Sequence, residues 1–114
     1  MRSPEIAAAS SLQVLHPGMH AHVNIWMMND RGATWDDTSA RAVAAALRDQ
    51  PGFRSYTLVR SGEWQVIAVT VFESEAALTA AMEAVAPLVH ERVAPLATEP
   101  PARYGGPVLH HLAV

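Results

Sequence analysis

Residues Met19 to Met28 alternate without a break between two chemical characters. Met19, Ala21, Val23, Ile25 and Met27 are uniformly apolar. His20, His22, Asn24, Trp26 and Met28 interleave with them. Successive side chains of a strand point to opposite faces, so the stretch predicts one strand with two environments. The first face suits a packed helix layer. The second carries imidazole, amide and indole groups where a solvent face ordinarily carries Lys, Glu, Thr or Ser, and it suits a semi-enclosed pocket.

The rest of the chain supplies a context for that strand. Residues 1–18 read as a leader or arm, broken by Pro17-Gly18. After the strand, Asn29-Asp30-Arg31-Gly32 is a turn cluster. Asp36, Asp37, Thr38 and Ser39 then crowd a helix start, where side-chain oxygens accept free backbone N–H groups. Ala40, Val43, Ala44 and Leu47 recur at helical spacing, and Pro51-Gly52 stops the helix. Phe53 to Arg60 predicts a second strand, Ser61-Gly62-Glu63 a hairpin turn, and Trp64 to Phe72 a third strand apolar on both faces. Ser74 is placed to cap a second helix whose stripe is Leu78, Met82 and Val85. Pro87 predicts its end or a kink, followed by a short helix carrying His90. The Pro- and Gly-rich stretch from Pro95 to Pro107 reads as a long loop, and Val108 to Val114 as a last strand.

The order strand, helix, strand, strand, helix, strand is that of an α+β ferredoxin-like domain, a βαββαβ antiparallel sheet with helices on one face. Residues 19–114 form that domain. With both helices on one side, the other face of the sheet is bare. The expectation is that this bare face carries Trp26, Trp64, Val66, Ala68 and Phe72. An apolar patch of that extent marks an interface, and a two-fold homodimer pressing two such faces together encloses a cavity. His20, His22, Asn24 and Trp26 then line it.

Composition excludes several function classes. A net charge of −3 over 114 residues gives no electrostatic case for nucleic acid or an anionic membrane. No apolar run approaches the roughly 20 residues that span a bilayer. The chain has no cysteine, which excludes disulfides and thiolate metal sites and fits a reducing cytoplasm.

Gln50-Pro51-Gly52-Phe53 and Val71-Phe72-Glu73-Ser74-Glu75-Ala76-Ala77-Leu78 resemble the helix stop and helix cap of the dimeric α+β barrel superfamily, and within it the antibiotic biosynthesis monooxygenase-like domains. The resemblance runs from about Ala21 to Val114. It implies a homodimeric barrel and a small-molecule enzyme of secondary metabolism. The superfamily includes cofactor-free oxygenases of aromatic polyketides and quinols, haem-degrading oxygenases, cyclases, isomerases and proteins of unknown role; a non-catalytic ligand-binding dimer is a further alternative for this chain. Its haem-degrading branch uses an Asn on the first strand, and a Trp and a later His on the second helix. Asn24 and His90 match two of these, but Ala80 stands near the Trp position.

The cofactor-free reading needs least of the chain. A deprotonated, electron-rich phenol or anthrone reduces O₂ directly, so the protein supplies a base, donors for the developing anion and a dry pocket. His22 or His20 is the candidate base, since imidazole titrates nearest neutrality. Asn24 is the candidate oxyanion donor, and His90 a further candidate catalytic group. Trp26, Trp64 and Phe72 are candidates to stack on a flat aromatic substrate, with Arg54 and Tyr56 adding a cation and a phenol. The alternative cofactors are haem on His90 or a divalent metal on His20 and His22, completed by His90 or His110. No spacing-specific metal motif is present.

Overall fold

The computed structural model describes residues 18–33 and 37–113. The elements are β1 (His20–Met27), a single-turn helix α1 (Asp30–Ala33), α2 (Thr38–Arg48), β2 (Phe53–Gly62), β3 (Gln65–Phe72), α3 (Glu75–Arg92), a 3-10 turn (Ala94–Leu96) and β4 (Ala102–Pro107). The four strands form one sheet in the order β2-β3-β1-β4, antiparallel at every pairing. This is the expected ferredoxin-like arrangement, with β1 and β3 in the interior of the sheet. The leader through Pro17, Asp36 of the expected helix start, and Val114 lie outside the described residues.

The helix boundaries follow from local chemistry. Ser74 Oγ accepts the backbone N–H of Ala77 at 3.0 Å and so caps α3. Gly52 ends the turn after α2 at φ 85°, where a Cβ would lie 2.8 Å from Glu73 Cγ. Asn29 organises the turn cluster into α1, its Oδ1 accepting N–H groups from Arg31 at 2.9 Å and Gly32 at 3.1 Å.

The expected assignment of the sheet faces is reversed. Cross-strand partners share a face, and Trp26 pairs with Val66, Asn24 with Ala68, His22 with Thr70 and His20 with Phe72. That face meets the helices. Trp26 at 6% exposure and Phe72 at 0% belong to one core with Val43 and Leu47 of α2 and Leu78 and Val85 of α3. Burial of rings as large as Trp26 and Phe72 is provided here between sheet and helices. The bare face carries Val23, Ile25, Ile67 and Val69 instead, with Tyr104 63% exposed on β4.

Three further expectations are corrected. α3 runs through Pro87 without a break. The carbonyl that Pro87 leaves unpaired is that of Glu83, and both residues are exposed, so water can take the vacant acceptor. The last strand is Ala102–Pro107, inside the expected loop, while Val108 to Ala113 carry no strand. β4 pairs only with β1, and an edge strand tolerates Gly105, Gly106 and Pro107. Trp64 belongs to the turn between β2 and β3, 43% exposed, and stands on neither sheet face.

Candidate functional site

A groove of about 600 Å³ opens between the helix-side face of β1, the C-terminal half of α3 and the segment from Ala94 to Arg103. β1 contributes His22, Asn24 and Trp26; α3 contributes Met82, Val89 and His90. Their convergence follows from periodicity. His22, Asn24 and Trp26 are two apart on a strand, while Met82 and Val89, seven apart, share the inner side of a helix and the exposed His90 stands at its edge. The third wall comes from Thr98 to Pro101 and from Arg103, which lies opposite Asn24 in the β1–β4 register.

That third wall is fastened to the end of β1. Asn29 Nδ2 donates to the Pro95 carbonyl at 2.9 Å, and the Asn29 N–H donates to the Leu96 carbonyl at 2.8 Å. The Thr98 N–H reaches the Met27 carbonyl at 2.9 Å. Gly32 admits this approach, since a Cβ there would stand 2.4 Å from the Leu96 oxygen.

Behind the groove lies an inner cavity of about 50 Å³. Asn24 and Trp26 border both spaces, and Tyr56 and Thr70 bring hydroxyls to the inner one. Asn24 Oδ1 is buried and has no hydrogen-bond partner. A buried acceptor left unpaired is costly, and at the junction of two cavities Asn24 Oδ1 is placed to accept from a water or a bound molecule.

Electrostatics separate the titratable groups by role. Burial lowers the pKa of His22 from 6.5, and the nearby Arg103 guanidinium lowers it further. His22 is therefore a neutral imidazole at neutral pH, able to accept a proton. Burial raises the Tyr56 hydroxyl above its usual value of 10.0, which keeps it protonated and able to donate.

The sequence candidates divide accordingly. His22, Asn24, Trp26 and His90 come together in the groove, on the helix side of the sheet rather than in a cavity between subunits. Tyr56 lines the inner cavity. His20 borders neither space and lies 4.0 Å from Glu75 at the start of α3. Phe72 is core, its ring edge-on to Phe53 with centroids 5.7 Å apart. Trp64 is in the exposed turn. Arg54 sits in an irregularity of the β2–β3 register, which throws it out of phase with Tyr56 and leaves it exposed. Arg103 went unnoticed in sequence, since its stretch reads as loop; its only signal is a lone cation just past Pro100-Pro101.

Among the described residues no group of three or more His, Asp or Glu side chains is gathered closely enough to hold a metal ion, so the set built on His20 and His22 is not assembled. Ala80 lies exposed on α3, so no ring reaches the groove from the position that the haem-degrading branch fills with Trp. Among the described residues no helix is long and apolar enough to cross a membrane.

Fold and site together define a ferredoxin-like α+β domain with a groove between sheet and helices. Residues 19–100 match the antibiotic biosynthesis monooxygenase family, and the chain belongs to that family. Membership supports a monooxygenase-type function. Similar solved structures include a protein of unknown function, NE2512 from Nitrosomonas europaea, at 14% identity and TM-score 0.75, covering 87% of this chain and 97% of that one. Rv0793 from Mycobacterium tuberculosis is 19% identical with TM-score 0.70, covering 84% of this chain and 100% of its own. SnoaB, a cofactor-independent oxygenase from Streptomyces nogalater, is 19% identical with TM-score 0.69, covering 83% and 97% respectively. At these identities the likeness is one of fold. No curated protein matches the sequence significantly.

Proposed function

We propose that the protein is a cofactor-independent monooxygenase of secondary metabolism, acting on a flat phenolic substrate of the aromatic polyketide or quinol type. The observation that carries this is the buried, unpartnered Asn24 Oδ1, in a groove that also holds His22 as a neutral base. A substrate hydroxyl supplies the missing donor to Asn24. His22 takes a proton from the substrate, and Arg103 stabilises the resulting anion from the neighbouring strand. Trp26 offers an aromatic wall to the bound ring. The electron-rich carbanion reduces O₂. One oxygen atom becomes bonded to the ring carbon, the other leaves as water, and the substrate provides the electrons. His90 at the groove wall is a second acid–base group that can return a proton to the leaving oxygen.

The protein works as a homodimer in this reading, joined through the bare sheet face of Val23, Ile25, Ile67 and Val69, and it acts in the cytoplasm. That apolar face supports the pairing, and the lack of cysteine fits the compartment.

Oxygen consumption with anthrones and hydroquinones, measured with and without a chelator, tests the assignment. The expected result is one O₂ consumed per product, undiminished by the chelator and lost in His22→Ala. Conversion of substrate without O₂ uptake makes the protein a cyclase or isomerase and overturns the reading.

A further inference from the structure

The inner cavity is not an extension of the groove in either size or chemistry. Asn24, Trp26, Met82, Val85 and Val89 border both spaces, so only these side chains separate one from the other. Beyond them the walls include Val43, Leu47, Val66 and Ala68, all 6% exposed or less, together with Tyr56 and Thr70. An engineered apolar cavity of about 150 Å³ accommodates a benzene ring. At about 50 Å³ this one is too small for an aromatic substrate. Its lining is mostly hydrocarbon, with polar side chains at Asn24, Tyr56 and Thr70, so the greater part of its wall offers a water no partner. A small, uncharged, weakly hydrated molecule gains by moving from water into such a space, for the reason that drives apolar burial in general. Met82 adds mobility to the boundary, because its unbranched thioether chain adapts to what lies beside it.

We infer that the inner cavity is a dioxygen pocket. The inference rests on the oxygenase reading above. It gives the two substrates separate places: the aromatic anion in the groove, and O₂ behind it on the core side of Asn24 and Met82. Oxygen then meets the anion from the interior rather than through the hydrated mouth of the groove. Water, which would protonate the carbanion, is disfavoured on that side by walls that are mostly apolar.

Xenon probes the pocket without turnover. Crystals of the substrate-free protein pressurised with xenon are expected to show a xenon atom among Val43, Val66, Ala68 and Val85. Ala68→Val places two methyl groups in this space and should abolish the xenon site. In oxygen-uptake assays the same variant should raise KM for O₂ severalfold while leaving KM for the aromatic substrate unchanged. Val66→Ile fills the same space from the adjacent register and serves if Ala68→Val does not fold. An inner cavity that holds ordered water and no xenon overturns the inference. So does a filled cavity, confirmed by crystallography, with an unchanged KM for O₂. Failure of the oxygenase reading is distinguishable: xenon binds in the substrate-free crystal, but no substrate elicits O₂ uptake, and the dioxygen assignment then falls with that reading.

Discussion

Asn24→Leu should make the protein more stable and nearly inactive. The unpaired, buried Oδ1 costs the folded state about 1–3 kcal/mol of uncompensated desolvation. Leucine has nearly the shape of asparagine, no acceptor to satisfy, and apolar neighbours in Ala68, Met82 and Val85. Its excess volume has somewhere to go, since Asn24 borders an inner cavity of about 50 Å³. Allowing about 1 kcal/mol for imperfect repacking, the net gain is about 0–2 kcal/mol. For a domain of this size each kcal/mol is worth about 3–6 °C in Tm, so scanning calorimetry of the ligand-free protein should show an upward shift of a few degrees, about 3–6 °C at the middle of that range. Turnover should fall by about 10²–10³, the usual loss when one donor or acceptor to a reacting group is removed. A variant less stable than the wild type would show that Asn24 is satisfied within the protein. A stabilised variant with wild-type turnover would remove Asn24 from the chemistry. Either result refutes the argument.

Three other perturbations probe different parts of the molecule. His22 must be neutral to act as a base, so kcat/KM should fall as pH drops through a value below 6.5; Arg103→Met removes the second cause of the shift and should move that acid limb upward. The linked stability has a definite sign: the folded pKa is depressed, the unfolded chain binds more protons between that pKa and 6.5, and stability therefore falls as pH descends through this window and is flat above it, as urea titrations at several pH values would show. Gly32→Ala gains about 1 kcal/mol of helix propensity, but the new methyl would meet the Leu96 oxygen at 2.4 Å and Met28 Cβ at 2.8 Å. Displacing that backbone costs about 1–3 kcal/mol, so the net change is expected to be destabilising, with a raised substrate KM because Leu96 leads into the groove wall; an unchanged Tm would refute the contact. Ile25→Glu places a charge at the middle of the bare sheet face and should convert a dimer to a monomer in sedimentation experiments, while a persisting dimer would put the interface elsewhere.

The fold was legible because its signals are local. Alternation in Met19–Met28, the Ser74 cap and the Pro51-Gly52 stop each specify an element within a few residues, and their order leaves little choice of topology. β4 was not legible for the opposite reason. Ala102–Pro107 has poor strand propensity of its own and is a strand because β1 offers it an edge, with the Arg103–Asn24 and Gly105–His22 pairings as the result. Hence Arg103, whose place in the site comes wholly from that pairing, could not be found by inspection of its neighbours in sequence. A period of two puts Arg54 and Tyr56 on one face, and an irregularity in the β2–β3 register, invisible in composition, separates them.

The reversal of the sheet faces shows what alternation does and does not determine. It fixes which residues travel together, so His22, Asn24 and Trp26 remained one wall whichever way the strand turned. It does not fix which wall meets the helices, because β3 is apolar on both faces and offers no contrast. The deciding quantity is side-chain size. A sheet face packed against two helices within one subunit can enclose Trp26 and Phe72 fully, at 6% and 0% exposure. A face built of Val23, Ile25, Ile67 and Val69 is flatter and can be left for another surface. The reversal moves the candidate site from a space expected between two subunits to one within a single chain. Because the wall is assembled from β1, α3 and β4 of a single chain, loss of the dimer should leave the His22–Asn24–Arg103 arrangement intact. Ile25→Glu should therefore separate assembly from chemistry, giving a monomer that still binds its substrate in the groove.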